Sequence, residues 1–415
     1  MRTLAEWLEF IERQHPKTIA LGLDRVSAVL GRMRIELGCP VITVAGTNGK
    51  GSCCALLEAM LRAGGYRTGL YTSPHLVRYN ERVRIAGQEA SDRALGESFE
   101  AVEAARGEVA LTYFEYGTLA ALWLFAREGI EAAILEVGLG GRLDAVNAID
   151  ADCAVLTSVG IDHVDYLGAD RESIGREKAG IFRAGRPAVI AEPQPPRSVL
   201  DAPGVHYVLG RDFGYSDEKT QWTYWGPFGK RGGLAHPALR GAVQLRNAAA
   251  AMCALDCLRE KLPLGMQDIR RGLAEVTLPA RFQVLPGRPQ VILDVAHNAQ
   301  AAQVLADNLA ASGFAPETIA VCGMLRDKDA AGVLRTLAPR ITRWHLASLT
   351  GPRAARADEL AKHVDGAVEC FASPTSAFAA ALSRANENDK IVVFGSFLTV
   401  GEVMGWLKNN KTSKR

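Results

Sequence analysis

The sequence has almost no excess charge of either sign and no long apolar run. Lysine and arginine total 48 against 46 aspartate and glutamate residues, which gives a formal net charge of +2 over 415 residues. So small an excess gives no electrostatic reason to expect a nucleic acid or a membrane surface as a partner. No stretch contains 18 consecutive apolar residues, so no transmembrane helix is predicted.

The sequence also lacks any C-x-x-C pair among its eight cysteines. Most of them, such as Cys153, Cys253 and Cys322, stand within apolar runs. This usage is typical of small buried side chains in a reducing compartment. Residues 1–10 mix acidic residues into an apolar pattern, which predicts an amphipathic helix and not a signal peptide. We therefore expect a cytoplasmic protein.

Short apolar, β-branched runs alternate with helical segments along the first half of the chain. A length of 415 residues and an apolar fraction of 48% predict a globular protein of two or three domains. Repeated βα alternation predicts a doubly wound, mostly parallel α/β sheet with right-handed crossovers. The predicted strands cover residues 41–44, 69–72, 132–138, 153–159 and 187–191.

A change of composition separates this region from a second α/β alternation. Residues 192–240 are rich in Pro, Trp and Tyr, which predicts short antiparallel strands at the edge of the first domain. An alanine-rich helix begins at Gln244, and four further strands are predicted at 290–294, 318–323, 344–347 and 391–394. We therefore assign residues 1–280 to a P-loop domain and residues 281–415 to a smaller Rossmann-like domain.

The first predicted strand leads into a glycine-rich turn and then a helix. The turn consists of Gly46, Thr47, Asn48, Gly49, Lys50, Gly51 and Ser52. Backbone N–H groups and a helix N-terminus in this context favour binding of phosphate. Lys50 can reach the β- and γ-phosphates, and the Ser52 hydroxyl can face Mg²⁺. The spacing is G-x-x-G-K-G-S and not the usual G-x-x-x-x-G-K-[ST], so a purely structural turn stays open as the alternative.

An acidic residue ends the strand predicted at 132–138. Glu136 there has the form of a carboxylate that holds the metal of a bound nucleotide. A solvated acid at the edge of the sheet is the alternative. The second strand opens into the polar, arginine-rich loop 73–85, which adjoins a strand end, where α/β proteins bind their ligands.

Several stretches, taken in order, resemble the folylpolyglutamate synthase/dihydrofolate synthase family of the Mur ligase superfamily, and most closely its bifunctional bacterial members. The stretches are residues 43–52, 71–85, 111–119, 135–147, 162–168, 176–181, 294–298 and 395–397. The resemblance implies ATP-driven formation of an amide. A pterin or folate carboxylate would attack the γ-phosphate of ATP, and the amine of L-glutamate would then attack the acyl phosphate.

The resemblance also implies two magnesium ions and a set of catalytic residues. Ser73 and Glu136 are the implied ligands of Mg²⁺, which prefers oxygen. His163 is implied as a ligand of a second metal, although imidazole is a softer ligand, and a bond from His163 to Asp162 or Asp165 is the alternative. Lys178 matches a lysine that becomes N-carboxylated and would then supply oxygen ligands. From the residues alone, Lys178 is compatible with an ordinary surface lysine. Lys50, Lys178 and His163 are the implied catalytic residues.

Two further sets of residues follow from the resemblance. Those implied on the ATP side are Asn247, Arg281, Asp294 and His297, together with the glycine-rich turn. Those implied to bind the pterin are Leu21, Gly22, Thr112, Tyr113, Phe114, Glu115, Leu143, Asp144 and Ala145. The expected partners are small molecules: dihydropteroate, tetrahydrofolate, L-glutamate and ATP. The chain is expected to act as a monomer.

Two other functions remain as alternatives at this point. A ligase for a peptidoglycan precursor would use the same nucleotide chemistry, but it gives no reason for the stretch Thr112–Glu115. A regulatory P-loop NTPase would bind partners and make no product. It leaves the loop 73–85, Glu136, His163 and Lys178 without a role.

Overall fold

The computed structural model describes residues 2–15 and 19–412, which form two compact units. The first contains most of residues 2–276, and the second contains all of residues 277–412. Two short segments, His75–Arg78 and Leu239–Val243, belong to the second unit. Within the described residues, no helix is both long enough and apolar enough to cross a membrane.

The first unit is built on an eight-stranded sheet with the order β4-β3-β2-β5-β1-β6-β7-β8. Its strands are β1 (Val41–Ala45), β2 (Thr68–Tyr71), β3 (Val83–Ile85), β4 (Gln88–Glu89), β5 (Ala132–Glu136), β6 (Cys153–Leu156), β7 (Pro187–Ile190) and β8 (Val205–Val208). All are parallel except β3 and β4, which form an antiparallel edge. This confirms the predicted doubly wound, mostly parallel sheet.

The prediction for residues 192–240 is right in one part and wrong in another. Three antiparallel strands do form a separate small sheet: β9 (Gly214–Glu218), β10 (Gln221–Gly226) and β11 (Gly229–Leu234). Residues 205–208 form β8, which runs parallel to β7 and extends the main sheet, so the prediction of antiparallel strands is wrong for this segment. The segment Val-His-Tyr-Val is short and half exposed, so its apolar pattern does not reveal a parallel partner.

Helices cover both faces of this sheet, as the βα alternation requires. They are α1 (Leu4–Glu12), α2 (Asp24–Met33), α3 (Lys50–Ala63), α4 (Asp92–Arg106), α5 (Tyr113–Glu128), α6 (Val164–Leu167), α7 (Arg171–Ala179), α8 (Arg197–Leu200), α9 (Val243–Cys257) and α10 (Met266–Glu275). Single 3₁₀ turns cover Tyr79–Arg82 and Ala145–Ala148. Alternate residues of β1, β5, β6 and β7, together with the apolar helix α5, supply much of one core cluster.

The second unit contains a six-stranded sheet with the order β12-β13-β17-β14-β15-β16. Its elements are β12 (Gln283–Leu285), β13 (Gln290–Leu293), α11 (Ala299–Ala311), β14 (Thr318–Cys322), α12 (Ala330–Leu337), β15 (Arg343–Ala347), α13 (Ala357–Ala361), β16 (Ala367–Phe371), α14 (Pro374–Arg384), β17 (Lys390–Phe394) and α15 (Phe397–Thr412), with a 3₁₀ turn at Ala338–Arg340. All four predicted strands are present. The two missed strands, β12 and β16, lie at the edges of the sheet and are not fully buried, so their apolar signal is weak.

Candidate active site

The glycine-rich turn lies at the C-terminal end of β1, between the ends of β5 and β6. In the sequence, β6 is the next parallel strand after β5, but the two strands pair with opposite sides of β1. In an open α/β sheet, a crevice for a ligand forms at such a point. The turn itself spans Gly46–Gly49, and α3 begins directly after it at Lys50.

Two glycines allow the turn to pass close to its neighbours. Gly46 has φ of 153°, and a Cβ atom there would collide with Thr157 Oγ1. Gly49 has φ of 89°, and a Cβ atom there would lie 2.8 Å from Asn247 Oδ1. Both positions therefore require the conformational freedom and the small size of glycine. Asn247, expected on the ATP side, thus lies beside the turn.

The segment Thr157–Gly160, which follows β6, holds the turn from outside; we call it the brace. The Thr47 amide donates to Ser158 O at 2.9 Å, and the Asn48 amide donates to Ser158 Oγ at 2.9 Å. Thr157 Oγ1 donates to Asn48 O at 2.7 Å, and the Gly160 amide donates to Thr47 Oγ1 at 2.9 Å. The backbone of the turn is therefore fixed by neutral groups of a neighbouring loop.

Lys50 places its charge over the turn. Its Nζ donates to Gly46 O at 3.1 Å and to Thr47 O at 3.4 Å. It stands at the start of α3, where the first N–H groups of a helix have no intrahelical acceptor and the dipole favours an anion. Ser52 is buried in the first turn of the same helix. Together these groups form a positive site suited to phosphate.

Glu136 ends β5 beside the start of the turn, with Val44 of β1 as its register partner. It is 5% exposed, so the alternative of a solvated edge acid is wrong. Its Oε2 accepts the Ser73 amide at 3.2 Å, which brings together the two residues expected to hold Mg²⁺. In proteins Mg²⁺ is commonly bound by one or two carboxylates, with waters and substrate phosphates completing its shell. Among the described residues, no group of three or more His, Cys, Asp or Glu side chains could hold a metal ion by itself.

Lys178 is a buried lysine on α7, with 4% of its surface exposed, so it is not an ordinary surface lysine. Burial lowers the pKa of its amine to about 7, and the charge of Lys50 adds to this effect, whereas Asp162 and Asp144 oppose it. Near neutral pH a large fraction of this amine is therefore unprotonated. The same interactions indicate that Lys50, Asp144, Asp162 and Lys178 belong to one electrostatic cluster.

His163 precedes α6 in a left-handed conformation, with φ of 53°. Its amide donates to Asp162 Oδ1 at 2.8 Å, and its Nε2 lies 4.0 Å from the same oxygen. A separation of 4.0 Å is within the range of an ion pair but too long for a hydrogen bond. The structure thus associates His163 with Asp162.

The residues expected to bind the pterin come together from three distant stretches of the chain. The Gly22 amide donates to Leu143 O at 3.3 Å, which ties the first stretch to the third. Arg25 Nη2 donates to Ala20 O at 2.6 Å and to Glu115 Oε1 at 2.8 Å, which ties the first stretch to the second. We call this cluster, formed by Leu21–Gly22, Thr112–Glu115 and Leu143–Ala145, the wall cluster.

Both carboxylates of the wall cluster bind groups of the protein itself. Glu115 accepts the Thr112 amide at 2.8 Å in a capping box of α5, in addition to Arg25. Asp144 accepts the amides of Leu139 at 2.8 Å and Val146 at 3.1 Å. Burial raises the pKa of Asp144 to about 7, although those amides oppose the shift. Arg25 is missing from the predicted site residues, and its pairing with Glu115 could not be found from sequence because the two lie 90 residues apart.

Aromatic rings line the start of α5. The Arg82 guanidinium lies 5.5 Å from the centre of the Tyr113 ring. The Phe114 ring is 5.7 Å from that of Tyr71, and a Cβ atom on Gly138 would approach it to 2.7 Å. Rings and a cation of this kind suit a flat, partly apolar ligand.

Two of the ATP-side residues of the second unit, Arg281 and His297, lie next to one aromatic ring. The Arg281 guanidinium is 5.1 Å from the centre of the Phe397 ring, and the His297 ring is 6.2 Å from it. Asp294 accepts the amides of Phe282 and Ala296, both at 2.8 Å. Burial raises the pKa of Asp294, and its bonds to the backbone oppose that shift. Phe397 is the residue of this group that the predicted site omitted, although its stretch carries part of the resemblance.

Two protein-family models match the chain in sequence. The Mur ligase middle domain matches residues 44–255, and the Mur ligase, glutamate ligase domain matches residues 280–397. These matches, together with a phosphate loop at the switch point of a parallel sheet, define a ligase of the Mur class.

Comparison with individual proteins identifies the family within that class. The dihydrofolate synthase/folylpolyglutamate synthase of Escherichia coli (strain K12) is 47% identical over 97% of this chain and 94% of its own length. The solved structure of E. coli FolC in complex with DHPP and ADP has a TM-score of 0.95, with 46% identity over 99% of both chains. A bifunctional folylpolyglutamate synthase/dihydrofolate synthase with Mn, AMPPNP and L-glutamate bound has a TM-score of 0.92, with 45% identity over 98% of both chains. The chain belongs to the dihydrofolate synthase/folylpolyglutamate synthase family of Mur ligases.

Proposed function

We propose that this chain is an ATP-dependent ligase that joins L-glutamate to dihydropteroate and adds further γ-linked glutamates to tetrahydrofolate. The observation that carries the proposal is the cluster at the ends of β1 and β5. A lysine-bearing phosphate loop lies there beside a buried carboxylate and a serine, in a chain 47% identical to a dihydrofolate synthase/folylpolyglutamate synthase. Such a cluster binds a nucleotide, and its metal would be held by oxygen ligands.

The proposed reaction has two steps. A carboxylate oxygen of the pterin substrate attacks the γ-phosphorus of ATP, and the bond from that phosphorus to the β-γ bridging oxygen breaks to release ADP. The unprotonated amine of L-glutamate then attacks the acyl carbon, phosphate leaves, and the amine loses a proton. Lys50 and the N-terminus of α3 stabilise the negative charge of the phosphates. The brace keeps the turn in position during both steps.

Divalent metal is part of this proposal, with two magnesium ions. The Ser73 hydroxyl and Glu136 would hold the first ion, and His163 and Lys178 would contribute to the second. Bound metal supplies positive charge to the transferring phosphoryl group. The related structure with Mn, AMPPNP and L-glutamate bound supports a divalent metal in this family.

Lys178 would enter the second site as a carbamate. Its unprotonated amine adds to carbon dioxide and loses one proton, which gives an anionic group with two oxygens. Burial and a lowered pKa support this role, because they keep an amine available for the addition. An ammonium at the same position would repel a metal ion.

The remaining site residues are proposed with distinct roles. Asn247, Arg281, Asp294 and His297 would serve ATP binding. Tyr113, Phe114 and the backbone of Leu21–Gly22 would contact the pterin. Because Glu115 and Asp144 already bind groups of the protein, we propose that they hold the wall cluster in shape. Residues 1–280 would form the ATP-binding domain and residues 281–415 the glutamate ligase domain.

We further propose that the chain works as a monomer in the cytoplasm, on small molecules alone. Light scattering of the purified protein at working concentration should give the mass of one chain. A stable dimer in that measurement would correct this part of the proposal.

The test of the function is a product analysis. ATP and L-glutamate are incubated separately with dihydropteroate and with tetrahydrofolate, and the products are identified by mass. The expected result is one added glutamate on dihydropteroate and one or more on tetrahydrofolate, with one ADP per amide. Hydrolysis of ATP without any amide would favour a regulatory NTPase.

A further inference from the structure

The brace that fixes the phosphate loop is itself held by a buried carboxylate outside the proposed site. Glu192 follows β7 and is 5% exposed. Its Oε2 accepts the Val159 amide at 2.8 Å, in the middle of the brace. Its Oε1 accepts the Gln194 amide at 3.1 Å and Arg171 Nη2 at 3.0 Å. Hydrogen bonds to a charged acceptor are about twice as strong as those between neutral groups.

Arg171 binds the other side of the same peptide. Its Nε donates to Val159 O at 3.1 Å, and its Nη2 also donates to Gln194 O at 2.8 Å. Both backbone groups of Val159 are therefore held by an ion pair, the amide by the carboxylate and the carbonyl by the guanidinium. Ser158 and Gly160, on either side of Val159, are the residues that bind the backbone and side chain of Thr47.

The pair also reaches the helix that carries Lys178. Arg171 is the first residue of α7, and Lys178 comes seven residues later. Seven residues are close to two turns, so both side chains lie on one face of the helix. The position of Arg171 thus connects the phosphate loop with the helix of the buried lysine.

We propose that Glu192 and Arg171 are positioning residues for ATP, which act through Val159 and the brace on the phosphate loop. Neither contacts a substrate in this scheme, and the inference rests on the proposed function. Loss of the pair frees the Val159 peptide, so Ser158 and Gly160 no longer hold Thr47 and Asn48 in one place. Binding of the nucleotide phosphates weakens as a result, whereas binding of L-glutamate does not.

Glu192→Gln and Arg171→Lys test this proposal in the full chain. Gln keeps the shape of Glu192 without its charge, and Lys keeps the charge of Arg171 without its planar set of donors. Affinity for a non-hydrolysable ATP analogue with Mg²⁺ is measured by calorimetry, together with KM for ATP and for L-glutamate. We expect both variants to bind the analogue about tenfold more weakly and to raise KM for ATP accordingly, with KM for L-glutamate changed less than about twofold.

Asp256→Asn is the matched control, because Asp256 is also the buried acid of an ion pair in the first unit. It is 4% exposed and accepts Arg231 at 2.6 Å and Tyr224 Oη at 2.8 Å, both from the small three-stranded sheet. This variant should lower the melting temperature and leave affinity for the analogue within about twofold of wild type.

The outcomes separate the inference from the function it rests on. Analogue binding by Glu192→Gln and Arg171→Lys that equals wild type would overturn the inference, and so would an equal loss in Asp256→Asn. Failure of the wild-type chain to bind the analogue at all would instead overturn the proposed function, and the inference with it. Arg171 is 40% exposed, so Arg171→Lys is expected to fold even if Glu192→Gln does not.

Discussion

The phosphate loop and the wall cluster use charge in opposite ways. In the loop, the hydroxyls and peptides of the brace, which are neutral groups, bind Thr47 and Asn48. The charged Lys50 lies over the turn, where phosphate is expected. In the wall cluster, acidic side chains hold the backbone, since Glu115 binds Arg25 and the Thr112 amide, and Asp144 binds two further amides.

This difference shows that a charged residue in a recognisable stretch need not be there for the ligand. What matters is whether its hydrogen-bonding capacity is already used by the fold. On that criterion, changes in the phosphate loop should reduce turnover with little loss of stability. Changes to the carboxylates of the wall cluster should reduce stability first.

Lys50→Ala should have the largest effect on turnover. Loss of a positioned charge on the transferring phosphate commonly costs about 100-fold or more in rate, or about 3 kcal/mol. The free energy of unfolding should change little, because the hydrogen bonds of the Lys50 side chain go only to carbonyls of its own turn. Lys261→Ala, which removes an exposed cation of the same unit, is the control and should keep normal turnover. Turnover in Lys50→Ala close to that of wild type would refute the role of the loop.

Lys178→Ala should be nearly as inactive, with turnover reduced by about 100-fold, because the metal site would lose two oxygens. Small carboxylic acids should partly restore its activity by filling the vacated space, and Lys178→Arg should stay inactive because guanidinium is not carboxylated. Wild-type rates in Lys178→Arg would contradict the carbamate. NMR with ¹³C-bicarbonate that detects only a free amine in the active, metal-loaded enzyme would do the same.

Glu136→Gln should raise the Mg²⁺ concentration needed for half-maximal activity by about tenfold or more, since a ligand charge is lost. The measurement is a titration of ligation rate with Mg²⁺ at saturating substrates. Glu89→Gln, an exposed acid on the edge strand β4, should titrate like wild type. If the Glu136→Gln curve overlays that of wild type, Glu136 does not bind the metal.

Glu115→Ala should mainly lose stability, unlike the three variants above, which should mainly lose activity. Its removal leaves Arg25 and the Thr112 amide without their buried acceptor, which we expect to cost about 2 kcal/mol of unfolding free energy. The control is Glu9→Ala, whose ion pair with Arg13 is exposed and should contribute less than about 0.5 kcal/mol. Urea denaturation measures both. Equal stability of the two variants would contradict the claim that the carboxylates of the wall cluster stabilise the fold.

The sequence predicted well those features that depend on neighbouring residues. The turn Gly46–Ser52, the acid at the end of β5 and the parallel order of βα units each follow from a local pattern. Features that depend on distant pairs were not predicted. The brace acts on the turn from about 110 residues away, and Arg25 meets Glu115 across 90 residues.

The sequence also did not predict how an outer strand pairs or what two of the acidic side chains do. The strand β8 lies in the region predicted to form short antiparallel strands, and only one of its residues is fully buried, so its parallel pairing was missed. The family resemblance indicated that Glu115 and Asp144 matter. Only their hydrogen bonds show that the fold already uses both carboxylates.

The central claim is that ATP activates the carboxylate of the pterin substrate for attack by glutamate. Dihydropteroate labelled with ¹⁸O in its carboxylate tests this directly, in a reaction with ATP, Mg²⁺ and L-glutamate. If an acyl phosphate forms, one ¹⁸O atom per amide is transferred to inorganic phosphate, and mass spectrometry detects the label there. Amide formation with unlabelled phosphate would contradict the proposed mechanism.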